Sequence, residues 1–289
     1  MSQERPFIYI HMGTSLDGKI IGKFMETENS IGVLIDYVWT SKLFKPDAIM
    51  IGTKTVTEMN NEQPVLNSDE KDVPEGDFIA KSAKALFLVV PDSAGKIGWK
   101  NNYFETVYFQ KSNIIEILSE KASPQYRNYL RSLNISYIIA GKEHVDVVPA
   151  AKALKQKFGI NTLGVLGGAT INWSFVQAGI VDELSICLVA AGDGANKSLT
   201  LFEKAPQIVE NSPVEFELKS IDRLSTNGLW LKYTPKGARN EERPYSGQFE
   251  LGKKNVDAKF FTGTSYLNQL SNQGATVLNV TFEPGSRNN

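Results

Sequence analysis

The chain has 289 residues, 31 Lys plus Arg against 32 Asp plus Glu, a formal net charge of -1 and 42% hydrophobic residues. That balance belongs to a folded globular protein; it excludes wholesale disorder and a broad cationic field for nucleic acid. Cys187 is the single cysteine, and His11 and His144 are the two histidines. An intrachain disulfide, a zinc ribbon and a His/Cys/Cys deaminase centre are therefore excluded, and no metal site is expected. The N-terminal residues lack a basic region followed by an apolar run, and no window holds about 18 uninterrupted apolar residues, so the expectation is a cytoplasmic protein without a membrane segment.

In chain order, residues 7–12 read as a β-rich run followed by a turn over 13–18. Residues 36–44 hold a helical pattern that Pro46 terminates. Residues 47–51 are almost wholly apolar, as expected of a strand covered on both faces, and the same signature returns over 85–90, 135–140 and 163–166. Between the last two, a helix over 147–158 aligns Val147, Ala150, Ala151, Leu154 and Phe158 on one stripe, and Gly159 ends it. A further helix is expected over 171–178. From Asp182 onward the strands 183–190, 214–224 and 228–233 follow without a long helix between them, so the sheet is expected to finish with antiparallel members. The fold class is therefore α/β, a parallel-rich mixed sheet flanked by helices, with its ligand crevice at the carboxyl ends of the strands. The polar stretch 235–255 reads as a linker, dividing a domain over 1–235 from a β-rich extension over 236–289 with strands at 260–270 and 275–282.

Three glycine-containing turns each follow an expected strand. The first, Gly13-Thr14-Ser15-Leu16-Asp17-Gly18-Lys19-Ile20, matches a phosphate-binding P-loop at both glycines and the lysine. Ile20 stands where a hydroxyl should hold magnesium, and the residues after it are β-branched where a helix should begin. The second is Gly52-Thr53-Lys54-Thr55, where hydroxyls and free amides at a helix start make an anion site, with a plain helix cap as the alternative. The third is Gly164-Val165-Leu166-Gly167-Gly168-Ala169-Thr170. Its paired glycines allow a backbone to approach a pyrophosphate, or else make a sharp, closely packed turn. His11 in a strand and His144 near a helix start read as structural, Cys187 as core, and residues 59–77 as an exposed excursion.

Taken together, Ser15 to Ile20, the run Pro46-Asp47-Ala48-Ile49-Met50-Ile51-Gly52-Thr53-Lys54-Thr55, Leu166-Gly167-Gly168 and Ala178-Gly179-Ile180-Val181-Asp182-Glu183-Leu184 resemble the dihydrofolate-reductase-like reductase domain of riboflavin biosynthesis. The resemblance covers nearly all of residues 5–234. It implies a dihydrofolate-reductase-like fold and an NADPH-dependent reductase passing hydride to the C1′ carbon of a ribosylamino-pyrimidine phosphate. It also implies that Gly52, Thr53, Lys54 and Thr55 meet cofactor phosphates, that Gly167, Gly168, Ala169 and Thr170 hold the pyrophosphate, and that Ser15, Asp17 and Lys19 lie near nicotinamide and substrate. The implied partner is a small molecule, with a homodimer as a further expectation. Where such enzymes commonly carry a glutamate before the paired glycines this chain has Leu166, which points to a changed substrate, pyrimidine or pterin-like. A non-catalytic nucleotide-binding or assembly module on the same fold is the alternative, with a P-loop nucleoside triphosphatase, from the first turn, as the remaining one. The extension, from Phe260 to Arg287, resembles the opening strands of a small cupin without its metal motif.

Overall fold

The computed structural model describes residues 4–237 apart from 61, 68–72, 82–85, 106–110, 207 and 209–210, together with the backbone of five short strands beyond 252. The chain divides into two compact units, Met1–Glu241 and Glu242–Asn289. In the first, strand β1 (Phe7–Thr14) leads through a short 3-10 turn at Lys23–Glu26 into helix α1 (Glu28–Leu43). There follow β2 (Ala48–Met50), α2 (Thr53–Asn60), β3 (Phe87–Pro91), β4 (Tyr103–Phe104) and β5 (Ser112–Leu118). Helix α3 (Pro124–Ser132), β6 (Ser136–Ile139), α4 (Val147–Phe158), β7 (Thr162–Val165) and α5 (Ala169–Gln177) come next. Strands β8 (Glu183–Leu188), β9 (Phe216–Arg223) and β10 (Leu229–Pro235) complete it.

These strands form one mixed sheet in the order β4-β5-β3-β2-β7-β1-β8-β10-β9, with β6 on β5. The pairs β1–β7, β1–β8, β2–β7, β2–β3, β3–β5 and β5–β6 are parallel, whereas β10 pairs antiparallel with both β8 and β9. The expected finish with antiparallel strands is therefore present. Alternation along the strands feeds two cores. Ile8, Ile10, Met50 and Val165 pack with Ala150, Leu154 and Phe175 of α4 and α5. Ile49, Ile51, Leu88 and Ile114 pack on the other face with Val56 of α2 and Tyr126 and Leu130 of α3. Helices cover both faces, which is why the central strands read as continuous apolar runs.

The sequence motifs also contain structural anchors. Asp182 sits 7% exposed, bridged by Arg5 at 2.6 Å and accepting from the amide of Ile8 at 2.7 Å, so it ties the start of β8 to the start of β1. Asp47 accepts from the amides of Asn161 at 2.8 Å and Thr162 at 3.0 Å, fixing the register of β7 against β2.

Three differences from the sequence reading stand out. Helix α1 begins at Glu28 rather than near residue 36, because Thr27 caps it by accepting from the amide of Ser30. Strand β5 and helix α3 occupy 112–132, a stretch in which the expected elements show a gap. The turn after β1 opens no helix, so the P-loop reading fails in structure as well as at Ile20. In the second unit, Lys253–Lys254 pairs with Ser265–Ser271, which pairs with Val277–Phe282, while Phe261–Thr262 pairs with Arg287–Asn288, all antiparallel. Most of the expected linker, and part of the 59–77 excursion, lies outside the described residues.

Candidate active site

Strand β7 enters the sheet between β1 and β2, and the carboxyl ends of all three open on the same edge. This brings the second and third glycine turns together. The amide of Gly52 donates to the carbonyl of Gly167 at 2.9 Å, and that of Leu166 to Met50 at 2.9 Å. Gly167 holds φ at 94°, a conformation that side chains rarely adopt, and the Gly167–Gly168 peptide is cis. A Cβ on Gly52 would lie 3.1 Å from Ile171 Cδ1 and 3.2 Å from the Gly168 nitrogen, so glycine there is a condition of close approach. Gly168 is different. A Cβ built on it meets no atom within 4 Å, and its φ of -76° suits any residue.

Gly168 is also the N-cap of α5 and provides no side-chain cap bond. The first-turn amides of α5, which have no intrahelical partner, therefore have no side-chain cap either, and with the helix dipole they favour an anion at Gly168. That cradle fits the diphosphate of a dinucleotide: unhindered backbone, free donors and no acidic residue in the first turn of α5. Ala169 is buried and Thr170 exposed within this turn.

The other phosphate candidates separate. The Thr53 hydroxyl donates to the carbonyl of Pro91, which holds the start of α2 to the end of β3. Lys54 is exposed and stands 3.9 Å from Glu58 on the same helix. Thr55 turns away and lines a cavity on the α1 side of the sheet.

That cavity, of about 600 Å³, runs between α1, β2 and α2, with Tyr37, Val38, Ile49, Ile51, Met59 and Leu166 among its walls. A smaller one, of about 220 Å³, lies beside it under Gly13, Ile20 and Phe24, and the two share Met25, Leu34 and Tyr37. Leu166 thus places an apolar wall, with no hydrogen-bond acceptor, next to the glycine cradle. The sequence reading did not find the α1 wall. The Thr27 cap would have extended the helix over its first turns, although which face looks into the cavity is a tertiary fact.

Behind Tyr37, a buried polar chain fastens α1 to the sheet. Trp230 Nε1 donates to Ser185 Oγ at 2.7 Å, and Ser185 Oγ stands 2.8 Å from His11 Nδ1. His11 Nε2 is 2.9 Å from the carbonyl of Tyr37, which can only accept, so Nε2 carries the proton and Nδ1 accepts from Ser185. The imidazole stacks on the Tyr37 ring at 4.4 Å. Burial lowers the His11 pKa to about 4, so the ring is neutral and its role is to fix Tyr37. Cys187, within 3.5 Å of Thr40 Oγ1, is core, and burial pushes its thiol up to about 12.

Ser15, Asp17 and Lys19 come together in one turn, adjoining Gly13 and Ile20 of the smaller cavity. Ser15 is fully buried and donates to Asp17 at 2.6 Å. Asp17 also accepts from the amides of Asp193 and Gly194 at 3.0 and 2.9 Å, and these bonds, led by the Ser15 hydroxyl, hold its carboxyl well below the usual range. Ser15 and Asp17 thereby pin the turn to the loop around 193. The ammonium of Lys19 donates to the Ser198 carbonyl at 3.3 Å, a long bond open to exchange.

Comparison with known proteins decides the family. Residues 6–229 match the RibD C-terminal domain. The chain belongs to the RibD C-terminal domain family. Within it, the chain is 28% identical over 233 residues to the 2,5-diamino-6-ribosylamino-4(3H)-pyrimidinone 5′-phosphate reductase of Methanothermobacter thermautotrophicus, an alignment covering 81% of this chain and 100% of that one. It is 27% identical over 187 residues to the reductase of the same name from Aquifex aeolicus, covering 63% and 76%. Among solved structures, a pyrimidine reductase-like protein from Corynebacterium diphtheriae superposes with a TM-score of 0.56 at 16% identity, covering 80% of this chain and 92% of that one. The RibD C-terminal fold is thus the fold of the first unit, as the glycine turns and the antiparallel finish lead one to expect. Among the described residues, no helix is long and apolar enough to cross a membrane.

Proposed function

We propose that this RibD C-terminal family member is an NADPH-dependent reductase of a ribosylamino-pyrimidine 5′-phosphate. The observation that carries the reading is the junction of Gly52 with Gly167, whose chain neighbours Ile51 and Leu166 line an apolar cavity. It joins an anion cradle to a compartment of the size that small-molecule sites occupy. The names of the two relatives, both pyrimidinone phosphate reductases, supply the substrate class.

In this reading Gly52, Gly167, Gly168, Ala169 and Thr170 hold the cofactor's diphosphate, and Lys54 is the mobile charge available to a 2′-phosphate. When bound, NADPH supplies the hydride, and the protein supplies position and a dry cavity. Tyr37 and Leu166 flank the substrate ring, with Tyr37 held by His11. Lys19 trades its long bond to Ser198 for a substrate oxygen, while Ser15 and Asp17 hold its turn in place. Leu166 removes a polar partner from the substrate ring, so ring recognition relies on shape more than on hydrogen bonds.

The test is NADPH oxidation with the diamino-ribosylamino-pyrimidinone 5′-phosphate and, separately, with dihydrofolate. Turnover with the first and not the second is expected. Saturable NADPH binding without turnover on either would favour a non-catalytic nucleotide-binding module.

A further inference from the structure

We propose that Glu203 is a positioning residue: through Thr200 it holds residues 199–201 as a strap between Lys19 and the head of α5, and so sets the distance from substrate contact to cofactor cradle. This rests on reading Lys19 as a substrate contact and the head of α5 as the cradle. One edge of the strap pairs with the Lys19 turn. The amide of Leu201 donates to the carbonyl of Gly18 at 3.2 Å and that of Ile20 to Leu199 at 3.0 Å, with Lys19 opposite Thr200. The Lys19 ammonium reaches the same segment at the Ser198 carbonyl. The other attachment is to α5. There the amide of Glu203 donates to the carbonyl of Ala169 at 3.3 Å, and Asn172 Nδ2 donates to that of Leu201 at 3.1 Å. The Phe202 ring adds a contact with Trp173 of α5, 5.3 Å between centroids.

Residues 199–201 belong to no strand of the sheet, and Leu199 is 38% exposed, so two ladder bonds are a weak hold. Glu203 adds to it. Its Oε1 accepts from the amide of Thr200 at 3.0 Å and stands 2.8 Å from the Thr200 hydroxyl, which shares its proton with the Phe202 carbonyl at 2.9 Å. The Thr200 amide first, then its hydroxyl, hold the Glu203 carboxyl below the usual range, and the charge of Lys19 adds to this, so both bonds are made to an ionised group. Asn172 is fully buried, and its Oδ1 has no partner among the described residues. The strap carbonyl therefore sets the orientation of that amide. Such spacing matters to rate, because a misplacement of about 1 Å costs about 100-fold.

The experiment compares wild type with Glu203→Ala, Glu203→Gln, Lys19→Ala and the Glu203→Ala/Lys19→Ala pair. The first arm follows amide hydrogen exchange, which needs no turnover. Ile20 and Leu201, the two ladder donors, should exchange at least tenfold faster in Glu203→Ala, with the amides of β1 unchanged. Glu203→Gln, whose amide oxygen accepts the same two bonds, should restore their protection. The second arm measures NADPH affinity and kcat/KM for the pyrimidinone 5′-phosphate. Glu203→Ala should lose at least tenfold in kcat/KM with NADPH affinity within twofold of wild type, and Glu203→Gln should recover most of that loss. The double variant should be no slower than Lys19→Ala alone, because Glu203 acts through Lys19. Losses that add in the double variant, or unchanged exchange at Ile20 and Leu201, overturn the proposal. Faster exchange at both amides in a protein whose wild type reduces no pyrimidine supports the strap and removes the substrate reading on its own.

Discussion

The amide of Gly52 donates to the carbonyl of Gly167 at 2.9 Å, tying the turn that ends β2 to the turn that ends β7. Neither turn is a ligand site in isolation, since Thr53 spends its hydroxyl on Pro91 and Gly167 is occupied with its own geometry. Joined, they leave one open platform at Gly168 beside the cavity that Leu166 walls.

Gly52→Ala tests that junction. Its Cβ would press on the Gly168 nitrogen at 3.2 Å and on Ile171 at 3.1 Å, so the second turn must shift by a few tenths of an ångström. A stability loss of about 1 kcal/mol is expected from this overpacking, with NADPH affinity reduced severalfold. Denaturant titration and fluorescence titration measure the two effects.

His11 makes stability fall in mild acid. Its folded pKa of about 4 lies below its ordinary value of 6.5, so the unfolded chain binds the extra proton between these values. Stability therefore declines as pH drops from 6.5 towards 4, by about 3 kcal/mol from this group. Urea unfolding across that window should show a slope close to one proton that His11→Gln flattens.

Glu116 acts in the opposite direction. It lies fully buried in β5, with Trp99 Nε1 donating to it and Tyr126 donating at 2.8 Å, both at Oε1, while Oε2 has no partner among the described residues. Burial first, then the charge of Asp92, raises its pKa well above the usual carboxylate range. The folded state then holds a proton that the unfolded chain has lost, and stability declines as pH rises through that interval. Glu116→Gln keeps an acceptor for both donors and removes the ionisation. The variant should melt a few degrees higher at neutral and alkaline pH, with the gain vanishing in acid; an unchanged or lower melting temperature at pH 8 counts against the account.

Much of this molecule is written locally. The central strands announce themselves because helices cover both faces. The glycine turns announce themselves because φ at Gly167 and close approach at Gly52 admit little else. What is not local is harder to read. The Ser-Asn-Ile-Ile-Glu-Ile-Leu run of β5 is interrupted by Glu116, whose burial depends on Trp99 and Tyr126 arriving from elsewhere in the chain. The α3 helix did carry a signal, Ser123 capping ahead of Pro124. In α1, Gly32 and its β-branched neighbours dilute the helical pattern, so the turns that carry Leu34 to the cavity wall have no clear local signal. Ser15 and Asp17 were legible as a motif, but their use in pinning a turn to residues near 193 follows from tertiary placement.

The most direct test of the cofactor cradle is NADPH titration, followed by nicotinamide fluorescence, of wild type and Gly168→Ala. Because the added methyl meets no protein atom within 4 Å and the backbone there is ordinary, the variant should fold with an unchanged melting temperature. Its affinity for NADPH should nonetheless fall by at least tenfold, and further in Gly168→Asp. Wild-type affinity in a folded Gly168→Ala protein would show that the diphosphate rests somewhere else.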